Sequence, residues 1–126
     1  MSEVTRADAA VIDTLIITGI QAELARQIEK WGVQRHPDGT GPFKPMSYIG
    51  LASVIRDQAC ESCDRAARDG RVAWRHIAAE ELFEAFAEPA GSDELRRELI
   101  QVAAVAISWV RDLDLRRVEA QSESGS

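Results

Sequence analysis

Apolar residues recur at three- and four-residue steps near the start of the chain, at Val11, Ile12, Leu15, Ile16, Ile20, Leu24, Ile28 and Trp31. A backbone turning once every ~3.6 residues gathers such positions toward one side, so the spacing predicts one long amphipathic helix over about residues 7–31. A helix of that length with so much apolar surface needs other elements against it. The remainder of the chain must therefore supply faces of the same period.

Gly32, Pro37, Gly39, Gly41, Pro42 and Pro45 crowd into one stretch after this helix, half of the chain's 8 glycines and 4 prolines. That density marks a loop. A second helical period over 48–68 sets Leu51, Ile55, Ala59 and Ala66 along a stripe, and Gly70 is placed to end it as a left-handed cap. The third helix is expected over about 72–88, broken by Pro89 and Gly91, and Ser92 offers its hydroxyl to cap a fourth that reaches about Arg117. Nowhere does a two-residue alternation with β-branched enrichment persist, so no sheet is expected. These elements make an all-α domain over residues 1–118, a four-helix bundle, followed by a polar, disordered tail over 119–126.

Composition narrows the functional classes. With 45% apolar and 29% charged residues, the chain resembles ordinary globular proteins and is too hydrophobic to stay unfolded. Acidic residues outnumber basic ones by 21 to 15, a net charge of -6, which argues against a nucleic-acid partner. The longest apolar stretch, 99–110, is interrupted by Gln101 and Ser108 and is shorter than the roughly 20 residues a membrane span needs, so no membrane partner is expected. Glu3, Arg6 and Asp8 precede the first apolar run, unlike a signal peptide, and a cytoplasmic location is the expectation. Cys60 and Cys63 form a CxxC inside a helical segment with no second cysteine or histidine pair, and read as small core or boundary residues.

The carboxylates are more specific. At about 100° per residue, Glu80, Glu81, Glu84 and Glu88 share one arc of the third helix, with Ala79, Leu82, Phe83 and Phe86 opposite. Most such arcs are solvated faces. Here no Lys or Arg is interleaved to relieve the repulsion, and Glu98 opens the apolar stretch of the fourth helix, where an unpaired charge is costly. Glu81 and Glu84, then Glu98 and Gln101, are pairs three residues apart, and a hairpin through the 89–92 turn brings the two sides together. Such a set of oxygen ligands suits Mg2+, which keeps waters and completes its shell with substrate phosphates.

The arrangement resembles the MazG-like family of all-α nucleoside triphosphate pyrophosphohydrolases, whose pattern is EExxE on one helix and ExxD on the next. Here it reads Glu80-Glu81-Leu82-Phe83-Glu84 and Glu98-Leu99-Ile100-Gln101. The segment from Gln27 to Gln34, the loop from His36 to Gly41, and Trp74 ahead of the glutamates add to the likeness, which covers about residues 20–112. Gln101 departs from it, standing where the family has aspartate. The resemblance implies hydrolysis of an NTP or dNTP to the monophosphate and pyrophosphate, with Mg2+, or Mn2+ as a substitute. Glu81, Glu84, Glu98 and Gln101 would then be metal ligands, with Glu80 and Glu84 catalytic. It also implies a homodimer or homotetramer, consistent with the wide apolar arcs of the first and fourth helices.

Around the site, Lys30 and Trp31 are candidates for phosphate binding and base stacking, and Arg56, Arg65 and Arg68 for a triphosphate clamp. Each is equally readable as helix-end or surface chemistry. His76, one turn before Glu80, is placed to hydrogen-bond it, His36 belongs to the loop, and Trp74 and Trp109 read as core or interface. Two other functions fit the same residues. One is a nucleotide-binding or regulatory module weakened by Gln101, the other a dimerisation domain whose glutamates are only a soluble face.

Overall fold

The computed structural model describes residues 4–46 and 50–124. Among these the chain forms four α-helices and no strand; its only β feature is an isolated bridge between Pro45 and Leu51. No helix of the described residues is long and apolar enough to cross a membrane.

α1 runs Arg6–Trp31. Thr5 starts it with a reciprocal cap: its Oγ1 accepts from the Asp8 N–H, and the Asp8 carboxylate accepts from the Thr5 N–H, each at 3.1 Å. Gly32, at φ 71°, closes it. α2 covers Ala52–Arg68, so its start differs from the expected one. The expected first residue, Tyr48, lies outside the described residues, while Gly50 has φ 118° and Leu51 is extended. The physical reason lies in the preceding loop. Its Lys44 and Pro42 carbonyls accept from the Ala52 and Ser53 N–H groups at 3.0 and 3.1 Å, satisfying donors that the first turn leaves open. At the other end Gly70, at φ 69°, acts as expected: its N–H reaches the Ala67 carbonyl and that of Arg71 reaches Ala66, a double closure that a left-handed residue permits.

α3 spans Trp74–Ala87, slightly inside the expected bounds, and Glu88 turns extended as residues before proline do. α4, Asp93–Ser124, begins as expected under the Ser92 hydroxyl, which accepts from the Leu95 N–H at 3.1 Å. It does not stop near Arg117. The stretch expected as a tail from residue 119 is helical through Ser124, because Glu119, Ala120 and Gln121 favour helix and no Gly or Pro interrupts them before Gly125.

The chain divides into two units, one of Met1–His36 with Ile107–Ser126, the other of Pro37–Ala106. In the first, Arg111 of α4 grips Asp13 of α1 through both prongs of its guanidinium, at 2.7 and 2.8 Å. α1 buries no residue completely, and its Leu15 and Leu24 are 67% and 53% exposed. In the second unit α2 packs on α3. The contact is built from small side chains: Ala52, Ile55, Cys63 and Ala66 are buried on α2, Ala85 and Ala87 on α3, and Leu95 adds the start of α4. The loop is pinned here too, with the Gly41 N–H on the Phe86 carbonyl at 3.0 Å and Asp38 accepting from the Gly91 N–H at 2.7 Å. These bonds fix the turn between α3 and α4.

Candidate metal centre

Within the second unit, Glu81 and Glu84 of α3 and Glu98 of α4 each offer a carboxylate oxygen, and the three oxygens lie within 4.8 Å of one another. The spacing expected from the hairpin is therefore realised. A second group shares Glu84: Cys60, Glu80 and Glu84 offer ligand atoms within the same distance, with the Cys60 thiol 3.7 Å from Glu84 Oε1. Gln101, one turn after Glu98, lies against two of these carboxylates. With its amide nitrogen facing inward, Nε2 is 2.9 Å from Glu81 Oε2 and 3.3 Å from Glu98 Oε2.

All four glutamates of the two groups are half-buried, and among the described residues none forms an ion pair with Lys, Arg or His. The electrostatic consequence is uniform. Loss of solvent raises the Glu81 carboxyl above its ordinary value, and the charges of Glu98 and Glu80 raise it further. Glu84 rises through desolvation and Glu81, and Glu98 through desolvation and Glu84, with Arg97 acting in the opposite direction. The neighbouring thiols respond to the same field. Burial, then Glu80 and Glu84, push Cys60 to about 12, while a hydrogen bond to Glu80, burial and nearby charge push Cys63 to about 11. Both cysteines are free and hold their protons at neutral pH.

Such a cluster can lower its energy by taking up protons or by taking up a cation. The donor set fits a hard ion. In an octahedral Mg2+ shell neighbouring oxygens stand roughly 2.9 Å apart and opposite ones roughly 4.1 Å, so three oxygens within 4.8 Å would draw inward to share one ion. Cys60, protonated and sulfur-bearing, is a poor ligand for such an ion and instead borders the cluster on the α2 side.

The remaining candidates are placed as follows. Glu80 faces the cysteines, and Glu88 closes α3, where its charge adds to that felt by Glu98. His76 is buried and serves α3 itself: its Nδ1 accepts from the Ala73 N–H at 3.0 Å, so its hydrogen bond is not the expected one to Glu80. Arg56 pairs with Asp57 at 3.1 Å and Arg65 with Glu61 at 2.6 Å, so each has a carboxylate partner on α2. Arg68 is exposed in the last turn of α2, and Trp74 and Trp109 are half-buried. Lys30 and Trp31 belong to the first unit, where the Lys30 ammonium lies 4.6 Å over the indole.

Two residues at the centre escape a reading by spacing. Cys60 arrives from α2, and Arg97 lies beside Glu98, lining with Asp93, Arg96, Ile100 and Gln101 an open groove of about 490 Å3. Arg97 had a visible signal, a guanidinium adjacent in sequence to Glu98. Cys60 had only its place three residues before Cys63 on one helix side. Comparison with protein families, curated proteins and solved structures finds no match to this chain.

Proposed function

We propose that the protein is a Mg2+-dependent hydrolase that converts a nucleoside triphosphate, NTP or dNTP, to the monophosphate and pyrophosphate. The observation carrying this reading is the convergence of Glu81, Glu84 and Glu98, from two helices, within 4.8 Å and without a basic partner. The resemblance of the motif to the MazG-like family supplies the reaction class. In this reading Glu81, Glu84 and Glu98 hold the ion, and Gln101, expected from the motif as a fourth ligand, stands beside them through its amide. Bound Mg2+ supplies charge neutralisation for the phosphate oxygens. Glu80, the neighbouring carboxylate on α3, takes the proton of the attacking water. The groove beside Gln101 adds Arg96 and Arg97 to the cations of the second unit available for a phosphate chain, with Arg56 and Arg65 as the other candidates there.

The test is incubation with a panel of canonical and modified NTPs and dNTPs in Mg2+ or Mn2+, followed by product identification. Monophosphate plus pyrophosphate supports the proposal; diphosphate plus phosphate contradicts it. A second reading, binding without turnover, draws on Gln101, whose neutral amide gives the cluster one charge fewer than a carboxylate there. Nucleotide binding with no product under any metal would select it.

A homodimer or homotetramer belongs to the same proposal. α1 exposes Val11, Leu15, Leu24, Ile28 and Trp31, apolar area that a second copy would remove from water. Sedimentation equilibrium checks it, and a monomer at all concentrations contradicts it.

A further inference from the structure

Gln101 touches two of the proposed ligand carboxylates, one on each helix. Its amide has two orientations that differ by a half-turn. With Oε1 inward, three acceptors would face one another; with Nε2 inward, it donates to Glu81 Oε2 at 2.9 Å and to Glu98 Oε2 at 3.3 Å. An ionised carboxylate only accepts, so the second orientation is the bonded one. Hydrogen bonds to an ionised acceptor are roughly twice as strong as neutral ones.

The placement gives these bonds a purpose. Glu98 and Gln101 share α4, whereas Glu81 stands on α3, so the amide is a strap across the two helices at the point where their like charges repel. A Lys or Arg in this position would neutralise the cluster and compete with a cation for it. An Asp or Glu would add a further repelling charge. Glutamine supplies two N–H donors and no net charge, and so gathers the carboxylates without filling their demand for a positive ion.

We infer that Gln101 is a positioning residue whose amide nitrogen ties Glu81 to Glu98 and keeps the two carboxylates gathered for a divalent cation. The strap stands on its own geometry, while its benefit to cation binding rests on the proposed metal centre. A half-turn about the last side-chain torsion exchanges the N–H donors for Oε1, so the same residue can yield its bonds when the carboxylates turn toward an ion.

The full-length chain, stripped of divalent ions with a chelator, provides the test by NMR. Gln101 is exposed at the surface of α4, so Gln101→Leu should fold, and loss of one side-chain amide signal in that variant assigns the resonance. In the unaltered chain this NH2 signal should lie downfield of a free glutamine amide, and in a Glu81→Ala, Glu98→Ala double variant, which removes both acceptors, it should move to the free position. Mn2+ titration followed by electron paramagnetic resonance is the second readout. Gln101→Leu, which retains all three carboxylates, should bind Mn2+ about tenfold more weakly, the scale on which residues behind a ligand act. A free-amide signal in the unaltered chain overturns the strap, and unchanged Mn2+ affinity in Gln101→Leu overturns its positioning role. A bonded amide in a chain that binds no Mn2+ supports the strap and removes the metal reading alone.

Discussion

Asp8, Asp13 and Glu23 of α1 and the carboxylates gathered between α3 and α4 are the same chemical groups on the same kind of element, yet their proton affinities move in opposite directions. Asp8 is lowered by the Thr5 N–H and hydroxyl, Asp13 by Arg111, and Glu23 to about 2 by Arg26 and Gln27. Glu81, Glu84 and Glu98 are all raised, first by lost solvent and then by one another. Every acid in the first set has donors of its own. The second set has the Gln101 strap, the Cys60 thiol on Glu84 and the Arg97 charge near Glu98, but lost solvent and like charge outweigh them, which is the condition a bound cation relieves.

The sharpest way to break this contrast is to remove its shared member. Glu84 belongs to both ligand groups, so Glu84→Gln should lower pyrophosphate release at least roughly 100-fold, a loss suited to a group that holds the ion. Steady-state assays at saturating Mg2+ read the effect, and circular dichroism should show the helices intact. Retained activity would take Glu84 out of the site and sink the metal-centre assignment.

The next effect is one of sign. Raised carboxyls bind more protons in the folded chain than in the unfolded one. Their contribution to stability is complete below the ordinary 4.5 and is lost as pH rises through the raised values. Glu23 runs the other way: its contribution is present above 4.5 and is lost as pH falls toward about 2, and solvent screening keeps it small. Chelator-treated protein should therefore melt at progressively lower temperature as pH is raised above 4.5. At neutral pH, Mg2+ at 100 times its dissociation constant should restore about 2.7 kcal/mol. A melting temperature that Mg2+ leaves unmoved would place these glutamates with an ordinary solvated face.

The smallest effect is expected from the paired region. Asp13→Asn removes one charge from a half-exposed ion pair, so urea unfolding should show a slight loss of stability and hydrolysis should be unaffected. A large loss of hydrolysis would tie the first unit to the chemistry.

How far these features could be read in advance depends on the range over which each is decided. Thr5, Gly70 and Ser92 act within a few residues, so the Gly70 stop and the Ser92 start were visible in the sequence. The start of α2 was not, because carbonyls of Pro42 and Lys44 in the preceding loop decide where its first donors find partners. Nor was the end of α4, because a polar composition suits a tail and a solvated helix alike, and here Glu119, Ala120 and Gln121 favour the helix. Glu81, Glu84 and Glu98 could be grouped beforehand because a three-residue step and a short hairpin fix their side of each helix. Cys60 could not, since its approach depends on how α2 rotates against α3. The inward nitrogen of Gln101 follows from carboxylates on two helices, which spacing along one does not reveal.

The central claim is that carboxylates from two helices share one cation, and isothermal titration of Mg2+ into the chelator-stripped full-length chain, beside Glu98→Gln, tests it most directly. Glu98 is the only member of the three-glutamate group on α4. The unaltered chain should give a saturable isotherm, weakened at least roughly tenfold by Glu98→Gln. Superimposable isotherms, or no saturable binding by the unaltered chain, would contradict the account.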